Sequence, residues 1–190
     1  MKRVLMILLV MTSTFFMDGC VSNNEKAIEY FDKIYFPVQD LIELDNSFQE
    51  SMQNLTVASD QVQSEEDRII DEQEYSAQLK RVETAYDTLQ RFVNENLIYQ
   101  KDIPVYNNET ALQRSAIKLF ETYKTVVEKD YRQMVDLLKV QEPADEDNKR
   151  FNKLLRESGD ILEFELQSFY DTAMEYGDKY QIDLEFNEEE

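Results

Sequence analysis

Turn-forming residues are so scarce in this chain that the fold class is decided almost before any other feature is read. Glycine and proline number three each in 190 residues, and beyond residue 19 only Gly159, Gly177, Pro37, Pro104 and Pro143 remain. A many-stranded protein needs turn signals roughly every 8–12 residues, which five such residues cannot supply. The chain is therefore expected to be all-α.

The apolar pattern agrees. Ala27, Phe31, Ile34, Val38, Leu41, Phe48, Met52 and Leu55 recur at steps of three and four, the spacing that places side chains on one helix face. Pro37 lies within this run and is expected to kink or divide it, since proline lacks an amide donor and crowds the preceding turn. A second stripe, Tyr75, Leu79, Val82, Tyr86, Leu89 and Val93, predicts a helix running to about Tyr99. Pro104 and Asn107-Asn108 mark a connection, and Thr110 with Gln113 has the spacing of a capping box. Leu112, Ala116, Leu119, Tyr123, Val126, Met134 and Leu137 then predict a third helix to about Val140. After the break at residues 142–147, the fourth carries Phe151, Leu155, Leu162, Leu166, Phe169, Ala173, Tyr176 and Tyr180.

Four amphipathic helices of roughly 30 residues, each about 45 Å long, bury their stripes best as an up-down-up-down antiparallel bundle over residues 27–183. A dimerising coiled-coil hairpin has similar periodicity, but these stripes are wide and rich in Phe and Tyr, unlike a narrow a/d seam. Residues 184–190, strongly acidic, are expected to fray.

The first 19 residues read differently. Lys2 and Arg3 precede an apolar run from Val4 to Val10 with Phe15 and Phe16, too short for a permanent bilayer span and typical of an export signal. Directly after it, Met17-Asp18-Gly19-Cys20 resembles the lipobox of bacterial lipoproteins. That resemblance implies cleavage before Cys20, acylation of its thiol with palmitate-type chains, a tether over residues 20–26, and residence at the outer membrane facing the periplasm or the cell exterior. The remainder is similar in general pattern to helical-bundle envelope lipoproteins, which bring no catalytic motif with them. The alternative reading is a plain secretory peptide with an incidental cysteine.

Net charge is −20, so nucleic acid is excluded as a partner for want of a basic footprint. Anionic headgroups are repelled as well, which leaves attachment to the acyl chains. The chain has no histidine and one cysteine. Histidine-activated nucleophiles, His-ligated zinc and haem, and the histidine-containing di-iron bundles are thereby ruled out. No cofactor and no enzymatic activity are expected, and the leading expectation is a membrane-tethered interaction module with an envelope protein or glycan partner. A solute- or metal-ion-binding lipoprotein and a polysaccharide-acting enzyme remain as alternatives.

Three features are candidate surfaces. Asp60, Glu65, Glu66 and Asp67 from one connection and Glu142, Asp145, Glu146 and Asp147 from another would form an acidic tip at the end far from Cys20. Helix-dipole compensation is its simpler explanation. At the opposite, lipidated end, bundle topology gathers Tyr30, Tyr35, Phe36, Tyr99, Tyr106, Phe169, Tyr170, Tyr176 and Tyr180, as a partner or glycan surface or as core. Finally, Asp45 and Asp130 interrupt apolar stripes. The expected solution is a small helix rotation that carries each to solvent while Leu44 or Tyr131 takes the contact; the other is an internal polar site.

Mass spectrometry of the envelope form should find a chain beginning at acylated Cys20, and Cys20→Ala should leave the protein unacylated and in the aqueous fraction. An intact Met1 terminus would contradict the assignment.

Overall fold

The computed structural model describes the backbone of residues 2–63, 72–140 and 143–183, and side chains within 24–55, 75–140 and 143–183. The side chain of Cys20, together with Asp60, Glu65, Glu66, Asp67, Glu142 and the 184–190 tail, lies outside these. Helices account for nearly all of it: α1 (Lys2–Gln63), α2 (Glu72–Asp102), α3 (Ala111–Val126), a π-helical turn (Val127–Tyr131), α4 (Arg132–Leu138) and α5 (Asp145–Tyr180). Among the described residues there is no strand, only an isolated bridge between Tyr106 and Glu109, and no helix is long and apolar enough to cross a membrane. Asn24, Glu25 and Lys26, assigned above to the tether, belong to α1.

The stripes are the core. All eight apolar positions read from α1, from Ala27 to Leu55, are buried, as are Val82, Tyr86, Leu89 and Val93 of α2. Each large apolar side chain removed from water contributes about 1.5–3 kcal/mol, and one helix alone has nowhere to hide its stripe. Contacts show how the helices share it. Gln100 of α2 reaches Lys33 of α1, while Phe48 meets the ring of Tyr86. Ser115, Lys118 and Gln133 pair with Ser168, Glu165 and Arg150, and Ala27 and Gln39 with Tyr176 and Tyr170. Rising numbers on one helix meet falling numbers on the next, so neighbours run in opposite directions.

Two connections explain themselves chemically. Asn107 and Asn108 both take positive φ (48° and 62°), the left-handed conformation that asparagine tolerates in a tight turn. Glu109 N–H closes the turn on Tyr106 C=O at 2.7 Å. At the end of α5, Gln181 (φ 54°) adopts the same left-handed form, and Ile182 N–H bonds back to Gly177 C=O at 2.9 Å, a Schellman-type stop.

Several expectations are corrected. Helix three is not one α-helix to Val140: the π-helical turn at Val127–Tyr131 divides it, and α4 ends at Leu138. The extra residue in that turn advances the register by one, bringing Tyr131 into the core in place of Asp130, followed by Met134 and Val135. Thr110 makes no side-chain cap. Gln113 instead turns inward, its amide donating to the carbonyls of Gln100 (2.7 Å) and Ile103 (2.8 Å), end-of-helix groups that would otherwise lack partners. Leu155 of α5, expected in the core, is 38% exposed.

α1 is not divided at Pro37, which lies inside it. Proline cannot donate to the carbonyl four residues earlier, that of Lys33. Into that place comes Gln100, fully buried, whose Nε2 lies 3.4 Å from the carbonyl oxygens of both Lys33 and Ile34. Pro37→Ala should stabilise the chain by up to about 3 kcal/mol. Gln100→Leu should cost about 1 kcal/mol in the native background and less beside Pro37→Ala. A double-mutant cycle in urea that found additive effects would break the link.

Candidate functional site

Asp45 sits on the buried face of α1, one position along the stripe from Leu41 and Phe48. A lone carboxylate there is costly unless its oxygens are satisfied. Three neutral donors do this: Tyr131 hydroxyl to Oδ1 at 2.8 Å, and Gln49 Nε2 (2.9 Å) and Tyr123 hydroxyl (3.3 Å) to Oδ2. The expected rotation to solvent does not occur; Asp45 is only 5% exposed, because two long phenol side chains from α3 and the π-helical turn reach it where water would have. Tyr131 is presented by the register shift just described, and its ring packs on Phe48 with centroids 4.9 Å apart. For Asp130 only the Tyr131 half of the expectation holds: Tyr131 takes the core contact, but the Asp130 side chain is 15% exposed and paired with Lys129 rather than carried to open solvent.

Burial pushes the Asp45 carboxyl above the usual carboxylate range, against the downward pull of its three hydrogen bonds. Burial first, then the Asp45 charge, raises both tyrosine hydroxyls far above the ordinary phenol range, so both remain donors.

Gln49 connects this cluster to the surface. It lines a groove of about 590 Å³ between α1 and α5, with Met52 and Gln53 from α1 and Asn148, Phe151, Asn152 and Leu155 from α5. That volume is within the range of small-molecule sites, roughly 300–1,000 Å³. The sequence rule behind it is simple. Gln49/Gln53 and Asn148/Asn152 are each four residues apart, so each pair shares one helix face, and Met52, Phe151 and Leu155 supply the apolar surface between. A second, more open depression of about 510 Å³ lies between α1 and α2, bordered by Ser47, Lys80, Arg81, Thr84 and Thr88.

The surfaces picked out from sequence fare unevenly. Asp145, Glu146 and Asp147 form the first turn of α5, where Asp147 accepts the Ala144 N–H at 3.1 Å; the rest of the acidic tip is outside the described residues. Nearby cations make local contacts, Arg150 to Gln133 and Lys153 to Glu157. Among the described residues, no group of acidic or cysteine side chains is arranged to hold a metal ion.

The aromatic end does assemble, largely as interior. Tyr30 and Tyr176 are buried with ring centroids 5.9 Å apart, and Tyr106 and Tyr180 pack beside them. Tyr30 hydroxyl donates to Glu109 C=O at 2.8 Å and Tyr176 hydroxyl to Ala27 C=O at 3.2 Å. Tyr35, Phe169 and Tyr170 form an adjoining set. Phe36 and Tyr99 stay exposed. The amide groove was absent from the sequence reading, although its two four-residue amide spacings are visible there.

Comparison with protein-family models, with curated proteins and with solved structures finds no match.

Asp45→Ala should destabilise by about 3 kcal/mol, leaving two buried tyrosine hydroxyls without an acceptor; Asp45→Asn should stay within about 1 kcal/mol, since Gln49 can turn its amide over. Because the folded-state pKa of Asp45 is raised, its contribution to stability is present below the unfolded value near ~4 and is lost as pH rises through the folded value. Urea unfolding should therefore show Asp45→Asn gaining on the native chain as pH rises across that window. A gap that shrinks would place a stabilised charge at Asp45.

Proposed function

We propose that this chain is a lipid-tethered envelope protein that works by binding, with the groove between α1 and α5 as its ligand site and no chemistry of its own. The observation that carries this reading is the make-up of the groove: four carboxamides over an apolar floor, with the buried carboxyl of Asp45 engaged by neutral donors through Gln49. Carboxamides hold and orient ligands through paired donors and acceptors but supply neither a nucleophile nor a titrating proton. Asp45 has the raised pKa of many functional acids, yet Gln49 stands between it and the groove.

The tether follows from the lipobox-like Met17-Asp18-Gly19-Cys20, and with it residence at the outer membrane, facing the periplasm or the exterior. Position along α1 fits this arrangement. From Asn24 to Gln49 the helix is roughly 37 Å long at ~1.5 Å per residue, so the groove stands well away from a bilayer that holds Cys20. An acidic surface, repelled by anionic headgroups, favours that standing-off geometry.

Crosslinking in intact cells through a photoreactive residue at Asn152 should capture an envelope component, and the same residue at Glu95 on the outer face of α2 should not. Equal labelling at both positions, or none at either, would overturn the groove as the working surface.

A further inference from the structure

The outward face of α5 carries an apolar centre between two sorted sets of charge. Phe164 is 68% exposed there, with Ile161 one turn earlier at 48%. One exposed apolar residue is ordinary on a protein surface, but the charges around this one are not mixed. Before it come Lys149, Lys153 and Arg156, and after it Asp171, Glu175 and Asp178, all six exposed. At 3.6 residues per turn, these six and Phe164 fall within roughly a third of the helix circumference. Phe164 is also far from both ends of α5, about 28 Å from Asp145 and about 24 Å from Tyr180 at ~1.5 Å per residue.

Nothing within the helix explains the sorting. Anions favour a helix N-terminus and cations a C-terminus, a rule that Asp145, Glu146, Asp147 and Lys179 obey in the first and last turns. The six residues run the other way. Local pairing accounts for little: Lys153 meets Glu157 at 3.8 Å and Asp171 accepts from Gln167 at 2.8 Å. Among the described residues, Lys149 and Arg156 have no carboxylate within ion-pair distance.

Spacing about Phe164 supplies the reason. Lys153 and Glu175 each lie eleven residues from it, Arg156 and Asp171 eight before and seven after, Lys149 and Asp178 fifteen before and fourteen after. A second α5 laid antiparallel, Phe164 against Phe164, sets each of these cations opposite an anion, and twofold symmetry repeats every pair. A parallel pair would set like against like. Glu157 opposite Asp171 is a like-charged match, flanked by Lys153 and Arg156.

We infer that the outward face of α5 is an interface between two copies of this chain, paired antiparallel about Phe164. It lies outside the α1/α5 groove and does not depend on what the groove binds. A net charge of −20 on each copy opposes the encounter; the sorted charges set orientation, and the apolar contact at the axis supplies burial. With the tether proposed above, upright copies meet this way from facing surfaces, and copies on one bilayer meet this way lying along it.

The test is sedimentation equilibrium of the full chain in density-matched detergent, at an ionic strength that screens the net repulsion. A monomer–dimer equilibrium is expected. Two triple variants, Lys149→Glu/Lys153→Glu/Arg156→Glu and Asp171→Lys/Glu175→Lys/Asp178→Lys, should each weaken it about tenfold or more. Mixed together, the two should pair at least as tightly as the native chain pairs with itself, since each reversed half then meets its complement. Phe164→Ser should weaken the dimer as well, and it alone decides if either triple melts early. A native chain that stays monomeric, a dimer indifferent to Phe164→Ser or to a folded triple, or folded triples that fail to pair when mixed would overturn the interface.

Discussion

A carboxylate without a cation, held in a helical core by two phenols and an amide, organises more of this protein than any other single contact. Asp45 joins α1 to α3 through Tyr123, to the π-helical turn through Tyr131 and to the α1/α5 groove through Gln49. Each partner is placed by a different device. Tyr123 follows from ordinary helical spacing, Tyr131 from one inserted residue, and Gln49 from lying one turn beyond Asp45. Replacing such a polar node with apolar residues is often harmless or stabilising to a fold. Its presence is therefore better read through what it orients than through the energy it contributes.

The node reaches outward. Asp45 Oδ2 accepts from Gln49 Nε2 at 2.9 Å, so the amide nitrogen of Gln49 is turned toward the buried carboxyl while the same side chain lines the groove. The apolar stripes create the separation between α1 and α5, which touch at Ala27–Tyr176 and Gln39–Tyr170 and leave the groove at the Gln49 end. Thus the core, the buried node and the surface recess form one sequence of causes.

Much of the fold was legible in the sequence, because helical stripes depend only on local spacing and on too little glycine and proline to interrupt them. The buried faces of α1 and α2, the asparagine turn and the acidic first turn of α5 could all be read directly. Apart from the exposed Leu155, the failures share a cause: polar side chains placed by distant partners. Gln100 answers the carbonyl that Pro37 leaves open 67 residues away in sequence, and Gln113 turns from its expected cap toward the end of α2. Asp45 stays inside because phenols 78 and 86 residues further on meet it. The π-helical turn follows the same rule, exchanging Asp130 for Tyr131 to complete that site. The groove itself needed two helices brought side by side before its paired amides acquired meaning.

The measurement that reaches the centre of this account is the carboxyl carbon shift of Asp45 followed by NMR through an acid titration. A single transition with its midpoint above the ordinary aspartate range, moving together with the ring signals of Tyr123 and Tyr131, is the predicted result. A midpoint at or below that range, with the tyrosines silent, would place Asp45 in water and remove the node to which Gln49 links the groove.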